Sequence, residues 1–168
     1  MDSNKFQATL FNQVHSADNS ATNQALDYYK LCIAAAEQIS SRRQSANSFF
    51  LTINTVLISF VSYSSIEELT INWTFFAVSF AGIAICLMWR RLILSYKELN
   101  SAKFKVILAL EEKLPFKPYA AEWLSLGEGK NPAIHRPFSS MEAYVPLVFI
   151  FLHVFVIVLH VLTFLKPF

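Results

Sequence analysis

Charged residues are scarce in this sequence and unevenly placed along it. Asp, Glu, Lys and Arg make up 15% of the 168 residues, whereas 54% are hydrophobic. Soluble domains average about 25% charged residues and spread their apolar residues with a regular period. The composition therefore argues against a soluble enzyme and favours an integral membrane protein. The net charge of +2 is too small and too scattered for a nucleic-acid surface, so no nucleic-acid partner is expected.

Cysteine and glycine are also rare. The two cysteines, Cys32 and Cys86, belong to no CxxC pair or His/Cys cluster, which argues against a disulfide or a zinc site. The three glycines form no phosphate-binding loop, and neither HExxH nor GxSxG occurs. Glu111 and Glu112 are adjacent on a predicted helix and so diverge, which is typical of a solvated face rather than an acid–base pair. We expect no catalytic residue, no metal and no cofactor.

Three apolar stretches could cross a bilayer, whose core of about 30 Å needs roughly 20 residues in a helix. They are residues 47–63, residues 73–89 and the C-terminal stretch 143–168, which has no charge from Tyr144 to Leu165. Trp73 and Trp89 stand at the two ends of the second stretch, where an interfacial aromatic belt is expected. The first stretch contains several hydroxyl side chains, so a hairpin that only dips into one leaflet stays an alternative.

Basic residues flank the first two stretches at the same end of the predicted hairpin. Arg42 and Arg43 precede the first stretch, and Arg90 and Arg91 follow the second, whereas the linker between the two stretches holds no basic residue. Because Lys and Arg are retained in the cytoplasm, we expect a cytoplasmic N-terminus and an outer C-terminus. The polar residues 1–22 lack the apolar core of a secretory signal, so insertion would depend on the internal spans.

The expected fold class is an all-α integral membrane protein with about three transmembrane helices and long cytoplasmic helical extensions. Residues 23–114 are predicted to form a cytoplasmic helix, a membrane hairpin and a returning cytoplasmic helix, because apolar residues recur with a helical period on both sides of the hairpin. The first cytoplasmic helix should continue without a break into the first span. The returning helix should end at Leu114, before Pro115.

Residues 115–142 are rich in proline and glycine, which predicts turns around one short helix near residues 119–126. Ser139 and Glu142 have the spacing of a capping box and should start the last helix. Pro146 lies a few residues inside that helix and predicts a kink at the membrane surface.

Hydroxyl side chains line one face of the first span. They follow one another in steps of three and four, and the candidate residues, with an amide beside them, are Ser48, Thr52, Asn54, Thr55, Ser59 and Ser62. One interpretation is close helix packing, because small residues let two backbones approach. The other is a hydroxyl-lined aqueous path at the centre of a homo-oligomeric ring. Asn54 should face protein or water in either case, since an unpaired amide is costly inside a membrane.

Two histidines, His153 and His160, lie seven residues apart in the third span and so share a face. Their separation of about 10 Å along the helix axis excludes a shared metal within one protomer. Ionisable residues inside a membrane are candidates for proton relays or pore rings. The alternative is a neutral imidazole that is hydrogen-bonded to a neighbouring helix.

Small residues line two faces of the second span. Ala77, Ala81 and Ala84 form one face, and Ser79, Gly82 and Cys86 form the other. Both faces predict helix–helix contacts, because small side chains allow close approach. Two such faces on one helix favour an oligomer over a single three-helix monomer.

Four segments resemble the RipA-type family of small octameric bacterial membrane proteins. They are residues 41–50 (SRRQSANSFF), 96–114 (YKELNSAKFKVILALEEKL), 119–123 (YAAEW) with Gly127, and 142–146 (EAYVP), within a resemblance that spans about residues 27–151. The resemblance implies a ring-shaped homo-oligomer, an octamer, in the bacterial inner membrane. Some small membrane proteins of this general architecture accompany anti-phage systems, so it also implies a membrane-perturbing role in phage defence.

The hypothesis from the sequence is a homo-oligomeric inner-membrane protein that forms a ring or pore, with the lipid bilayer and its own copies as partners. One alternative is a non-conducting scaffold that recruits a cytoplasmic protein partner through the Pro-rich segment. A second alternative is a proton-coupled transporter that depends on His153 and His160. Leucine at Thr52, Thr55 and Ser59 should abolish the conductance of a pore but leave the phenotype of a scaffold intact. Phenylalanine at both histidines should abolish the transport activity of a transporter that still assembles.

Overall fold

The computed structural model describes residues 19–67, 73–129 and 141–165 of the chain. Within these ranges the regular secondary structure is helical, without a strand. The elements are α1 (Asn19–Glu67), α2 (Trp73–Glu111), α3 (Pro118–Ser125), a 3-10 turn (Gly127–Gly129) and α4 (Val145–Leu165). Ser139, residues 68–72 of the linker between the first two spans and the C-terminal residues 166–168 lie outside the described residues, so the predictions for them stay predictions.

Three of the helices are long and apolar enough to cross a membrane. The candidate spans are Thr22–Tyr63 in α1, Trp73–Glu111 in α2 and Val145–Thr163 in α4. This confirms the expected all-α fold with three candidate membrane spans. Many large apolar side chains on these helices are exposed, among them Phe49, Phe80 and Phe151. Such exposure is unusual for a soluble protein and is expected where helices face lipid.

Helix α1 is continuous over 49 residues. Its sequence contains neither proline nor glycine, so no residue interrupts the backbone hydrogen bonds between successive turns. The sequence predicts a helix that continues unbroken into the first span, and α1 has this form.

Helix α2 ends at Glu111, three residues before the end expected from the position of Pro115. The chain turns at this point: the amide of Lys113 donates to the Leu110 carbonyl at 2.9 Å, and the amide of Leu114 donates to the Glu111 carbonyl at 3.1 Å. Bonds between residues three apart are typical of a helix end that tightens before it stops. Leu114 is buried in this turn rather than being the last helical residue.

The two remaining helices each begin with a proline in the first turn. Pro118 is the first residue of α3, and Pro146 is the second residue of α4. Proline is tolerated there because the first amides of a helix have no partner within it. The interruption expected near Pro146 is a break directly before it. Residues 141–142 are helical and residues 143–144 form a turn, in which the Tyr144 amide donates to the Met141 carbonyl at 3.1 Å.

The first of two compact units contains α1 up to Ser41 and the chain from Tyr96 onwards through α3. Its core consists of Tyr29, Ala36, Ile107 and Leu114, with partly buried apolar side chains around them. Tyr119 of α3 packs edge-on against Tyr29 and Phe104, with ring centroids 6.4 and 5.5 Å apart. The short helix α3 is thereby part of this core.

The second unit contains α1 and α2 residues between Arg42 and Ser95, together with α4. Trp89 is at its centre and is 2% exposed, whereas Trp73 at the other end of the span is 82% exposed. The Trp89 ring stacks on Phe50 at 5.9 Å and contacts Phe149 at 6.2 Å. The expected position of Trp89 in an interfacial belt is thus wrong, because its ring fills the junction of three helices.

Candidate functional site

The hydroxyl stripe of α1 is uncovered in the protomer. We use this name for Ser48, Thr52, Thr55, Ser59 and Ser62, all of which are exposed. Two of the hydroxyls are satisfied by their own helix: Thr52 donates to the Ser48 carbonyl at 2.9 Å, and Thr55 donates to the Leu51 carbonyl at 2.8 Å. Hydroxyls bonded in this way can face lipid, water or another helix without the energetic cost of an unsatisfied donor. Among the residues that the structure describes, none covers the stripe.

Asn54 lies on a different face of α1 and is completely buried in the second unit. Its amide nitrogen donates to the Phe50 carbonyl at 2.8 Å, and its amide oxygen accepts from the Cys86 thiol at 3.0 Å. About two helical turns nearer the N-terminus on this face, the Trp89 ring N–H donates to the amide oxygen of Asn47 at 2.9 Å. These bonds join α1 to α2, so Asn54 faces protein, one of the two surroundings that the sequence allows.

The two small-residue faces of α2 differ in their surroundings. Ser79, Gly82 and Cys86 are buried within the second unit and form its inner contact face. The alanine face, which we define as Ala77, Ala81 and Ala84, is exposed. The first face is used inside the protomer, whereas the second is available to lipid or to another copy.

His153 is fully buried in the second unit, where α4 approaches α2 at Gly82. A β-carbon at position 82 would overlap the imidazole ring of His153, so only glycine leaves room for it. Among the described residues neither ring nitrogen of His153 has a hydrogen-bond partner, and neither does the buried hydroxyl of Ser79. The histidine is therefore a close-packed contact between two spans and does not line an open surface of the protomer.

His160 has different surroundings from His153. Its ring nitrogen Nδ1 lies 2.9 Å from the Val156 carbonyl, one turn earlier on the same helix. The ring also contacts Phe75 of α2, with centroids 4.6 Å apart. These contacts are those of a packed imidazole with a polar contact to its own helix.

Glu111 is a buried carboxylate, although the sequence predicts a solvated side chain at this position. It is fully buried, and it accepts a hydrogen bond from the Tyr29 hydroxyl at 2.8 Å. It also accepts from the backbone amides of Tyr119 and Ala120, at 2.8 and 3.0 Å. The expected solvated face is wrong for Glu111 and holds only for Glu112, which is exposed and pairs with Lys117 at 2.6 Å.

The amides that Glu111 binds belong to the first turn of α3. Lys117, the residue that caps this helix, makes no side-chain capping bond, so Glu111 supplies the missing acceptor from another helix. A carboxylate at this end also interacts favourably with the helix dipole. Burial, and after it the charge of Glu122 and of other nearby carboxylates, raises the pKa of the Tyr119 hydroxyl, so the phenol stays neutral. Both oxygens of Glu111 accept hydrogen bonds inside the unit, so the network has a structural role.

Neither unit contains a convergent set of catalytic groups in its described part. No group of three or more His, Cys, Asp or Glu side chains in that part could hold a metal ion. Cys32 and Cys86 are both free thiols. Within the described ranges, the hydroxyl stripe and the alanine face are two exposed helix faces of small side chains, and such faces are suited to contacts between helices.

Comparison with known proteins agrees with this membrane architecture. A family model described as the octameric membrane protein family (8xMP) matches residues 26–162, which include α2, α3 and most of α1 and α4. No curated protein and no solved structure matches the chain. The match confirms the resemblance to small octameric membrane proteins that the four sequence segments indicate. The chain therefore belongs to the octameric membrane protein family.

Proposed function

We propose that this protein assembles as a ring-shaped homo-octamer in the bacterial inner membrane and acts as a pore that perturbs the membrane during phage defence. The chain needs no enzymatic activity for this role. The observation that carries the proposal is the exposed hydroxyl stripe of α1, next to a face that Asn54 joins to α2. The family match indicates assembly of eight copies, and eight stripes brought together would surround one opening with hydroxyl groups.

The burial of the polar residues supports an opening along α1 rather than along α4. His153 is enclosed between α4 and α2, and His160 packs on Phe75, so neither histidine lines a surface that is open in the protomer. The stripe is open over its whole length, and at least Thr52 and Thr55 keep their hydroxyl oxygens available to accept further hydrogen bonds. We therefore assign the water path to α1 and not to the histidines.

The role in phage defence rests on the resemblance to small membrane proteins of anti-phage systems. A pore in the inner membrane would dissipate the membrane potential and stop growth of an infected cell. The N-terminus and the first unit would lie in the cytoplasm, as Arg42, Arg43, Arg90 and Arg91 indicate.

Planar-bilayer recording of the purified oligomer tests the pore. The wild-type protein should conduct, and the variant Thr52→Leu/Thr55→Leu/Ser59→Leu should lose conductance at unchanged particle mass, because apolar side chains make the path unfavourable for water. The matched control Val56→Leu/Phe60→Leu changes exposed apolar residues on another face of α1 and should conduct normally. In cells challenged with phage, a potential-sensitive dye should report depolarisation with the wild-type protein and not with the stripe variant.

Three results would contradict the proposal. A particle of octameric mass without any conductance would favour the scaffold that recruits a cytoplasmic partner through residues 115–142. Undiminished conductance of the stripe variant would place the path elsewhere. Loss of pH-dependent transport in a His153→Phe/His160→Phe variant would favour the transporter.

A further inference from the structure

An open apolar groove runs along the first unit between α1 and α2. Its volume is about 620 Å³, and its apolar lining consists of Ala25 and Tyr28 of α1 with Val106, Ala109 and Leu110 of α2. Tyr28 is 63% exposed and Val106 is 49% exposed, although both side chains are large. Exposed apolar side chains that line one groove between two helices are typical of a surface that receives a further helix.

The charge on the rim of this groove has one sign. Lys105 and Lys113 line it from α2 and are exposed, and none of its lining residues is acidic. Among the described residues, no ion pair involves either lysine. The two lysines are eight residues apart in a helix, which corresponds to about 12 Å along the axis. The groove therefore fits about two turns of a helix that carries an apolar anchor and a carboxylate.

Helix α3 has these properties. It consists of eight residues, which span about 12 Å. Glu122 and Trp123 are neighbours in it, and both are exposed, Trp123 by 46%. Within the described ranges Glu122 belongs to no ion pair. Tryptophan buries a large area on contact and is enriched among the residues that dominate the binding energy of interfaces.

The groove and α3 lie on opposite sides of the α1–α2 pair. Tyr119 of α3 packs on Phe104 of α2, whereas Val106 of α2 lines the groove. Residues two apart on a helix differ by about 200° around its axis, so Phe104 and Val106 point away from each other. A protomer therefore cannot place its own α3 in its own groove. Complementary surfaces on opposite sides of a subunit let each copy bind the next, and such contacts build a ring when the rotation closes.

We propose that α3 of one copy docks into the α1–α2 groove of the next copy. The Trp123 ring packs on the apolar lining at Tyr28 and Val106, and the Glu122 carboxylate pairs with a lysine of the rim. This contact rests on the ring-shaped octamer of the proposed function, and it forms whether or not that ring conducts. It joins neighbouring copies through their first units.

Disulfide crosslinking in membranes of expressing cells tests the contact. The two native thiols are first replaced, Cys32→Ala and Cys86→Ser, the second by a residue that keeps a hydrogen-bond donor. Addition of Ser125→Cys in α3 and Ala109→Cys in the groove should give a ladder from dimers to octamers on mild oxidation. The control pair Ser125→Cys and Gln38→Cys has its second thiol at an exposed position of α1 outside the groove and should give no ladder.

Two further changes identify the anchor and the charge pair. In the crosslinking background, Trp123→Ala should reduce the ladder about tenfold or more, the loss expected for a tryptophan that dominates an interface. The matched change Trp73→Ala removes an exposed tryptophan of the second unit and should leave the ladder intact. Glu122→Lys should also weaken the ladder, and Lys105→Glu/Lys113→Glu should restore it, because the charges are then exchanged. Trp123 and Glu122 are exposed, so these variants should fold.

The outcomes separate this contact from the ring itself. A particle of octameric mass without a ladder would overturn the docking of α3 and leave the ring in place. A disulfide within one chain would contradict the opposite positions of α3 and the groove. A groove cysteine that crosslinks only to a different protein would make that protein the occupant. A monomeric wild-type particle would contradict both the ring and this contact.

Discussion

At the scale of single residues, Glu111 joins three helices of the first unit. Its carboxylate is at the end of α2, the phenol of Tyr29 comes from α1, and the amides of Tyr119 and Ala120 come from α3. Each bond pairs a charged acceptor with a buried donor, and such bonds contribute more than those between neutral groups. One side chain of α2 therefore bonds to both α1 and the first turn of α3.

Replacing this carboxylate should destabilise the first unit. In Glu111→Gln, an amide N–H₂ replaces one carboxylate oxygen and must face a donor, either a backbone amide or the Tyr29 hydroxyl. We expect a loss of about 1–3 kcal/mol in the free energy of unfolding, measured by denaturant titration in detergent. The neighbouring variant Glu112→Gln removes only a surface ion pair and should cost about 0–1 kcal/mol. Equal effects of the two variants would show that the buried network does not stabilise the unit.

The role of Glu111 could not be predicted from the residues next to it. Glu111 and Glu112 are identical in type, and a helical pattern places them on diverging sides without showing which side is covered. Burial of Glu111 depends on α3, which begins at Pro118 and returns to the end of α2 after a turn that contains Pro115. By contrast, the need for a partner at Asn54 was predictable, because an amide within an apolar stretch is costly unless it is bonded.

At the scale of helices, the approach of α4 to α2 depends on the absence of a side chain at Gly82. The imidazole of His153 occupies the space that a β-carbon would take. Ser79 and Cys86 continue this close contact along the inner face of α2. Spans that pack through small residues gain van der Waals contact that lipid does not replace.

A side chain at position 82 should separate the two helices. We expect Gly82→Val to lower the free energy of unfolding by about 1–3 kcal/mol, because overpacking forces the helices or the imidazole to move. The control Ala102→Val adds bulk at an exposed position of the same helix, outside the alanine face, and should have little effect. Thermal unfolding in detergent, followed by circular dichroism, measures both. Addition of His153→Ala to Gly82→Val should restore part of the stability, and no restoration would mean that the two residues are not in contact.

The course of the helices was more predictable than their faces. The absence of proline and glycine between residues 19 and 67 predicts a continuous α1, and the apolar stretches predict the three candidate spans. Periodicity shows that Ser79, Gly82 and Cys86 share a face, and that the three alanines share another, but only packing decides which face is inside. The burial of Trp89 illustrates this, since a tryptophan at the end of an apolar stretch is also typical of a membrane interface.

At the scale of the whole molecule, the protomer leaves two specialised faces uncovered. The hydroxyl stripe belongs to α1 and the alanine face belongs to α2. A family of octamers needs at least one surface through which neighbouring copies meet. The alanine face suits this contact because small side chains let helices from two copies approach closely. The hydroxyl stripe is then free to face the centre of the ring.

This division between the two faces predicts different effects on assembly and on conduction. Ala77→Leu/Ala81→Leu/Ala84→Leu should lower the particle mass in detergent, measured by sedimentation or mass photometry, because larger side chains hold neighbouring helices apart. The control Leu87→Phe enlarges an exposed residue on another face of α2 and should leave the mass unchanged. The stripe variant should retain the mass and lose the conductance. An unchanged mass in the alanine-face variant would mean that the subunits meet through another surface. The hydroxyl stripe would then be the first surface to test, because contacts between copies also favour small hydroxyl side chains and would explain the stripe without an opening.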